Sequence, residues 1–238
     1  MGGADDFLIM IDFHAHILPG IDDGSRNKEM SLAMLAHAKA QGINTIVATP
    51  HFYADTMKAE EFIKDRQVAY EEIFDMAKQM DITIRLGAEV CYFRSLHESA
   101  NLKDFTIQGT NYLLLEMPFD QWTKREVATI TGLINQGVTP ILAHIERFWP
   151  YQKDKAPLEE IMRLDVIYQY NASPLLKFGK GKILKSIKKN DNVLLGTDCH
   201  NTSTRPVNLK AARDVIAKKL GEDKLDAIDD LAEQILGI

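Results

Sequence analysis

The sequence predicts an α/β fold, a single domain over residues 1–238 in which seven parallel strands and their connecting helices form a TIM-like (β/α) barrel. Three observations predict it. The length of 238 residues suits one α/β barrel, which needs about 200–250 residues. Short apolar runs alternate with segments of helical periodicity. No internal repeat or Pro/Gly/Ser-rich linker divides the chain.

Seven short apolar runs that contain β-branched residues are the predicted strands. Most of these runs are continuous rather than alternating, which is typical of parallel strands that are buried on both faces. The predicted strands are Ile9–Phe13, Thr45–Thr49, Thr83–Gly87, Tyr112–Leu115, Thr139–Ala143, Val166–Tyr170 and Val193–Gly196.

Six segments between and after the strands have the pattern of amphipathic helices, with apolar residues three or four positions apart. The first of them stops at Gly42, a residue type that commonly ends a helix. The predicted helices are Ser25–Gln41, Lys58–Met80, Trp122–Gln136, Lys177–Asn190, Arg205–Leu220 and residues 222–236.

The composition excludes several classes of function. Lys and Arg total 28 and Asp and Glu total 34, so the formal net charge is −6. This charge excludes a nucleic-acid or membrane-surface binder that relies on bulk positive charge.

The sequence also lacks the features of a membrane or secreted protein. No apolar run approaches the roughly 20 residues of a membrane-spanning helix. Two cysteines, Cys91 and Cys199, are too few for a disulfide framework, and residues 1–9 lack the features of a signal peptide. We therefore expect a cytoplasmic protein whose first nine residues are a tag remnant or an extended start.

Histidine and acidic side chains follow six of the seven predicted strands. Loops at the carboxyl ends of barrel strands build the active site, so these side chains are expected to converge there. Imidazoles and carboxylates buried together need a cation to neutralise them, and this ligand mixture suits Mn, Fe or Zn. The residues are His14, His16, His51, Glu89, Glu116, His144, Asp198 and His200.

The number of converging ligands predicts more than one metal ion and therefore phosphate-ester hydrolysis. Neighbouring ions stabilise the attacking and leaving oxygens and supply hydroxide as the nucleophile. Arg147 and Arg205 follow two of the ligand motifs, and guanidinium groups bind phosphate through paired hydrogen bonds. Both arginines could instead pair with acidic neighbours such as Glu146. Four aromatic residues after strand ends either flank a substrate ring or pack in loops: Phe52, Tyr53, Phe119 and Trp122.

Seven short motifs occur in order between Met10 and Arg205. They are Met10-Ile11-Asp12-Phe13-His14-Ala15-His16, Asp22-Asp23-Gly24, Thr49-Pro50-His51, Gly87-Ala88-Glu89-Val90, Leu115-Glu116-Met117, Ala143-His144-Ile145-Glu146-Arg147 and Thr197-Asp198-Cys199-His200. Together they resemble the PHP (polymerase and histidinol phosphatase) superfamily and, within it, the bacterial metal-dependent tyrosine phosphatases of the CpsB/YwqE type. The resemblance covers nearly the whole chain.

The resemblance implies a distorted seven-stranded barrel of the PHP type with three divalent metal ions, commonly manganese, with iron or zinc as alternatives. It also implies that Arg147 and Arg205 bind phosphate while a metal-bound hydroxide attacks phosphorus. The implied substrate is the phosphotyrosine tail of an autophosphorylating tyrosine kinase that controls capsule or exopolysaccharide synthesis. The three implied ligand sets are His14, His16, Glu89 and Asp198; Glu89, Glu116 and His144; and Asp23, His51 and His200.

Some roles stay open at this point. Asp198 or His200 could protonate the leaving group, although a phenolate with a pKa of about 10 needs little help. Phe119 and Tyr53 are the expected contacts of the substrate ring. We expect no nucleic-acid partner and no membrane insertion, and the oligomeric state is open.

Four alternatives remain. The five residues between Cys199 and Arg205 match the spacing of a cysteine-dependent tyrosine phosphatase, but no glycine lies between them to form a phosphate cradle. A related phosphatase acting on a small molecule such as histidinol phosphate would share the barrel and the metals. The other two are a metal-binding module without catalysis and an amidohydrolase. An amidohydrolase usually places a lysine on a middle strand, where this chain has Glu116.

Overall fold

The computed structural model describes residues 9–100 and 102–238. Apart from Ile9, the segment expected to be a tag remnant or extended start therefore lies outside the described residues. Nine strands are present in these two ranges, and every strand pairing there is parallel. They are β1 Met10–Ala15, β2 Ile43–Ala48, β3 His51–Phe52, β4 Thr83–Leu86, β5 Glu89–Cys91, β6 Tyr112–Glu116, β7 Thr139–Leu142, β8 Ile167–Asn171 and β9 Val193–Gly196.

Seven of the nine strands correspond to the predicted ones, and β3 and β5 are two short strands that lie just beyond the predicted strands Thr45–Thr49 and Thr83–Gly87. Two residues separate β2 from β3, and two separate β4 from β5. The first part of each pair belongs to a sheet of order β1-β2-β4, and the second part to a sheet of order β3-β5-β6-β7-β8-β9. At the other edge, Ala15 forms a parallel bridge with Cys199, so the end of β1 lies beside the chain that follows β9. The predicted parallel α/β fold is confirmed.

The helices pack around the strands, and their ends follow local capping. The side chain of Asn27 accepts a hydrogen bond from Met30 N, so the first helix begins at Lys28 rather than at the predicted Ser25. Thr123 and Glu126 form a capping box at the start of the third helix. The helices are α1 Lys28–Ala40, α2 Ala59–Gln79, α3 Lys124–Asn135, α4 Ala156–Ile161, α5 Ala172–Leu176, α6 Gly181–Lys189, α7 Leu209–Leu220 and α8 Glu222–Leu236.

The sequence prediction was wrong at four further points in the helical layer. Helices α4 and α5 were not predicted. The predicted helix from Lys177 begins only at Gly181, and the one from Arg205 begins only at Leu209. The late start of α7 has a clear cause. The Arg205 side chain donates to Asp198, so Arg205 belongs to the loop before the helix.

Apolar side chains of the strands and helices fill the interior. Phe13, Leu114, Ile141 and Leu194 are nearly inaccessible to solvent, which accounts for the continuous apolar character of their strands. None of the helices in the described ranges combines the length and apolar character needed to cross a bilayer.

Candidate metal centre

His14 and His16 place two imidazoles at the carboxyl end of β1. They are two residues apart in extended backbone, so both side chains point the same way, and their Nε2 atoms lie 3.1 Å apart. Glu89 Oε2 is 3.1 Å from His14 Nε2 and 3.2 Å from His16 Nε2. Asp198 Oδ1 lies 3.6 and 3.4 Å from the same two nitrogens. One ligand atom from each of the four residues can lie within 4.8 Å of all the others, so they can hold a metal ion.

Glu89 also connects this group to a second cluster. Its other oxygen, Oε1, lies 2.8 Å from His144 Nε2, and Glu116 Oε1 is 3.5 Å from the same nitrogen. His51 approaches from β3, with Nδ1 3.0 Å from Glu89 Oε2. The ligand atoms of His51, Glu89 and Glu116 lie within 4.8 Å of one another. The structure thus brings Glu89, Glu116 and His144 together and adds His51 to their neighbourhood.

A third cluster forms around Asp23. Asp23 Oδ1 lies 3.2 Å from His200 Nε2 and 3.5 Å from His51 Nε2. His16 belongs to this cluster as well, because a ligand atom of each of the four residues fits within the same 4.8 Å limit. The carboxylate of Asp23 is 67% exposed whereas His200 is buried, so this cluster is the one nearest to solvent.

The charges of the site fit a set of cations. Burial alone would raise the pKa of Glu89, but His14, His144 and His16 hold it well below its usual range. Burial alone would lower the pKa of His16, but the nearby carboxylates of Asp198, Asp22 and Glu89 raise it well above its usual value. Burial and the neighbouring charge of Glu89 raise the pKa of Glu116 to about 7. Positive charge is therefore favoured at the centre of the cluster.

Buried polar atoms without partners support the same conclusion. Within residues 9–100 and 102–238, no group donates to or accepts from Glu89 Oε2, His51 Nδ1 or His200 Nε2 in hydrogen-bond geometry. Leaving such atoms unsatisfied is costly. All three belong to the clusters described above, and carboxylate oxygens and imidazole nitrogens are ligand atoms of divalent metals. The donor set therefore fits metal ions.

Unusual backbone conformations help to bring the ligands together. His144 has φ 31° and Asp198 has φ 53°, which is the left-handed region that non-glycine residues rarely adopt. Such strain is typical of functional sites. The backbone of Gly196 runs close under His14, and a Cβ at this glycine would lie 2.5 Å from His14 Cβ. Only glycine fits there without moving the ligand.

Three polar residues that the sequence analysis did not assign to the site hold the ligands in place. Asp22 Oδ2 lies 2.7 Å from His16 Nδ1. Gln169 Oε1 lies 3.0 Å from His14 Nδ1 and accepts from the N–H of His144 at 2.7 Å. Asn171 donates to Asp198 Oδ2 at 2.8 Å. Such outer contacts fix the ring orientation of metal ligands.

A signal for these residues was present in the sequence. Asp22 stands beside Asp23 in one of the seven motifs, but only Asp23 was assigned to a ligand set. Gln169 and Asn171 lie on β8, the one predicted strand that supplies no histidine or acid. Their amide groups are buried, and a buried amide in an apolar strand needs polar partners.

The two arginines lie at the mouth of the centre. Arg205 Nη2 donates to Asp198 Oδ1 at 2.5 Å, and Arg147 Nη1 is 3.9 Å from Asp198 Oδ2. Their side chains are 40% and 43% exposed, so both guanidinium groups have free donors toward solvent. Among the described residues, no ion pair joins Arg147 to Glu146 within 4 Å. Glu146 instead accepts from the N–H of Asn171.

The four aromatic candidates separate into two pairs. Phe119 is 38% exposed, with the Arg147 guanidinium 4.8 Å above its ring. Tyr53 stacks on His51 at 5.2 Å between ring centroids. Phe52 and Trp122 are buried in the core. Only the first pair lies where a substrate ring could contact it.

Cys199 does not have the properties of a nucleophile. It is fully buried, and burial, followed by the charge of Asp12, raises the pKa of its thiol. A nucleophilic cysteine needs a lowered pKa and access to substrate. The cysteine-dependent mechanism is therefore excluded, and the backbone carbonyl of Cys199 serves to accept the N–H of His16.

Comparison with known proteins places the chain in a family. The chain is 31% identical over 231 residues to the tyrosine-protein phosphatase CpsB of Streptococcus pneumoniae, and the aligned region covers 90% of this chain and 93% of CpsB. A structure from work on YwqE of Bacillus subtilis and CpsB of Streptococcus pneumoniae, "unique metal-dependent tyrosine phosphatases", matches with a TM-score of 0.81 and 26% identity, covering 95% and 94% of the two chains. A lactonase of Listeria monocytogenes shares only the fold, with a TM-score of 0.59 and 13% identity over 98% and 95% of the two chains.

The family match spans the whole site. Residues 10–235 match the family described as "Capsular polysaccharide synthesis, CpsB/CapC", and this range contains every cluster, both arginines and the exposed aromatic pair. This chain therefore belongs to the CpsB/CapC family.

Proposed function

We propose that this chain is a metal-dependent protein-tyrosine phosphatase of the cytoplasm. Its proposed substrate is the phosphotyrosine tail of an autophosphorylating tyrosine kinase that controls capsule synthesis. The observation that carries the proposal is the convergence of three histidine and carboxylate clusters with two guanidinium groups at one end of the barrel. Membership of the CpsB/CapC family and the similarity to CpsB support it.

The three clusters are the proposed sites of three divalent ions, with manganese favoured over iron or zinc. Mixed imidazole and carboxylate ligands without thiolate suit these metals. When bound, such ions lower the pKa of water and neutralise charge on a phosphoryl group. The proposed ligand sets are His14, His16, Glu89 and Asp198; Glu89, Glu116 and His144; and Asp23, His51 and His200.

Arg147 and Arg205 are the proposed phosphate-binding residues. Both reach Asp198 from the solvent side, so one carboxylate orients two guanidinium groups at the mouth. A guanidinium matches two phosphoryl oxygens through parallel hydrogen bonds. Phe119 and Tyr53, beside these groups, are the proposed contacts of the phenyl ring of phosphotyrosine.

The leaving group needs no acid from the protein. Burial alone would raise the pKa of Asp198, but His14 and His16 hold it well below its usual range. Burial and the charges of His16 and Arg205 lower the pKa of His200 to about 4. At neutral pH Asp198 is therefore an ionised carboxylate and His200 a neutral imidazole, which favours their assignment as ligands over a role as acid. A phenolate with a pKa of about 10 can leave and take its proton from water.

The test is phosphate release by the purified chain from a phosphotyrosine peptide. Phosphoserine peptide and histidinol phosphate serve as comparison substrates, each with added Mn²⁺ and after treatment with EDTA. We expect release from phosphotyrosine that requires the metal. Faster turnover of histidinol phosphate would favour the small-molecule alternative, and the absence of metal-dependent release from every substrate would contradict phosphatase activity.

A matched pair of histidine variants tests the site itself. His51→Gln removes a proposed ligand that contacts both Glu89 and Asp23, whereas His37→Gln changes an exposed histidine on α1. We expect the first variant to lose activity and bound metal and the second to retain both.

A further inference from the structure

A groove runs along the outer wall of the barrel between α4 and α6. Its volume is about 300 Å³. Trp149, Leu158 and Met162 provide apolar surface, and Met162 is 40% exposed. Such a groove gives an apolar side chain of a bound peptide a place to be buried.

The groove begins close to the mouth of the metal centre. Trp149 follows Arg147 by two residues, and its ring lies 6.3 Å from that of Tyr170. The hydroxyl of Tyr170 lies 2.7 Å from that of Ser186, which also lines the groove. One end of the groove thus lies two residues from a proposed phosphate-binding side chain, and a polypeptide bound at the centre can continue into it.

The rim of the groove is positively charged. Lys155, Lys182, Lys185 and Lys189 line it together with one acidic residue, Glu159. Among the described residues, no carboxylate lies within 4 Å of any of the four ammonium groups, although other surface lysines of this chain form such pairs. Lys182 Nζ instead lies 4.5 Å above the Trp149 ring. The rim therefore carries a net positive charge in a protein whose net charge is −6.

The shape of this surface favours a peptide over a membrane. A lipid surface is recognised by protruding apolar side chains beside basic residues. Near the start of α6, Phe178 is fully exposed, but the apolar side chains of the groove itself do not protrude in this way. The four rim lysines surround a concave surface, which accommodates a side chain rather than a bilayer. Apolar contact within a ring of charges is the usual arrangement of a peptide-binding site.

We infer that the groove between α4 and α6 is a docking site for an acidic segment of the phosphotyrosine substrate. An apolar or aromatic side chain of that segment occupies the surface formed by Trp149, Leu158 and Met162. Carboxylates or further phosphates on either side of it face the lysines. The inference rests on the proposed phosphatase function and adds a preference for acidic sequence around the phosphotyrosine.

The test compares peptide and small substrates on a charge-reversal variant. Lys182→Glu combined with Lys185→Glu reverses two rim charges. Lys218→Glu combined with Lys219→Glu makes the same change on exposed lysines at the end of α7. Substrates are a phosphotyrosine peptide flanked by Asp, Glu and Tyr, the same peptide with Ser in place of the acids, and p-nitrophenyl phosphate.

We expect the rim variant to raise KM for the acidic peptide about tenfold with kcat unchanged. Its turnover of p-nitrophenyl phosphate should equal that of the wild type, which also shows that the variant is folded. The α7 variant should behave as the wild type on all three substrates, and added salt should weaken the wild-type preference for the acidic peptide.

One result would overturn the docking site while leaving the phosphatase proposal intact: an unchanged KM of the rim variant for the acidic peptide. If the wild type, but not this variant, then also binds phosphatidylserine vesicles, the lysines are assigned to a membrane. Wild-type protein that hydrolyses none of the three substrates would overturn the phosphatase function and the docking site together.

Discussion

Replacing Asp22 by asparagine tests whether the contacts behind the ligands determine metal binding. The carboxylate accepts three hydrogen bonds. Oδ2 lies 2.7 Å from His16 Nδ1 and accepts the N–H of His51 at 3.0 Å, while Oδ1 accepts the N–H of Gly24 at 2.9 Å. Burial alone would raise the pKa of Asp22, but its contacts with His16 lower it to about 2, so the group is ionised throughout the range of any activity assay.

An asparagine at this position can satisfy only part of this set. It has one acceptor oxygen, and its amide nitrogen must face either the N–H of Gly24 or the donors of His16 and His51. One or two of the three bonds are lost, and each buried donor left without a partner costs about 1–3 kcal/mol. Loss of an outer contact of this kind weakens metal affinity about 10- to 100-fold, or about 1.4–2.8 kcal/mol.

The assay measures turnover of p-nitrophenyl phosphate as a function of free Mn²⁺, with metal content determined after dialysis. We expect Asp22→Asn to need 10- to 100-fold more Mn²⁺ for half-maximal activity and to approach wild-type kcat at saturation. Asp81→Asn is the control, because Asp81 is exposed and lies far from the clusters in an ion pair with Lys39 at 3.4 Å. An unchanged Mn²⁺ requirement of Asp22→Asn would refute the reasoning.

Three further predictions concern buried groups. Arg213→Met leaves Asp229 as a buried unpaired carboxylate between α7 and α8 and should lower the free energy of unfolding in urea by about 3–5 kcal/mol. Adding Asp229→Leu should restore most of it, and an equal loss in the double variant would contradict this. Cys199→Ser should retain phosphatase activity that EDTA abolishes, and the opposite pair of results would restore the cysteine mechanism. Burial raises the pKa of Glu146 from 4.5 to about 7, so the folded, metal-free chain binds a proton that the unfolded chain has released. Glu146 should therefore contribute a fall of about 3 kcal/mol in the free energy of unfolding between pH 4.5 and 7, and urea titrations of Glu146→Gln should differ from those of the wild type by this amount.

The strands were predictable because their environment is uniform. Residues such as Leu114 and Ile141 are buried on a sheet covered on both faces, so their strands are continuous apolar runs. Helices α4 and α5 were not predictable in the same way, because six and five residues are too few to show a helical period. The start of α7 depends on the contact between Arg205 and Asp198, which is made by tertiary structure.

The convergence of the candidate ligands was predictable from one rule, the common direction of parallel strands. His14 lies near the end of β1, Glu89 follows β4 by three residues and His144 follows β7 by two. They meet at one end because the carboxyl ends of parallel strands lie there. The left-handed backbone of His144 and Asp198 had no signal in the sequence, since neither residue type demands that conformation. The amide contacts of Gln169 were missed because the chemistry of an amide does not indicate which partner it bonds.

The contacts of Gln169 limit which residues can replace the candidate ligands of this chain. The side-chain carbonyl oxygen of Gln169 on β8 bonds the ring of His14 on β1 and the backbone N–H of His144 after β7. A single side chain therefore contacts two candidate ligands that are far apart in sequence. Exchange of His14 for another ligand would have to preserve a partner for the acceptor at position 169, or change together with it, whereas position 144 must keep its backbone N–H. Although β8 supplies no candidate ligand, its Gln169 thus restricts which ligands the neighbouring strands can carry. A redesign that changes the metal preference should begin at this residue.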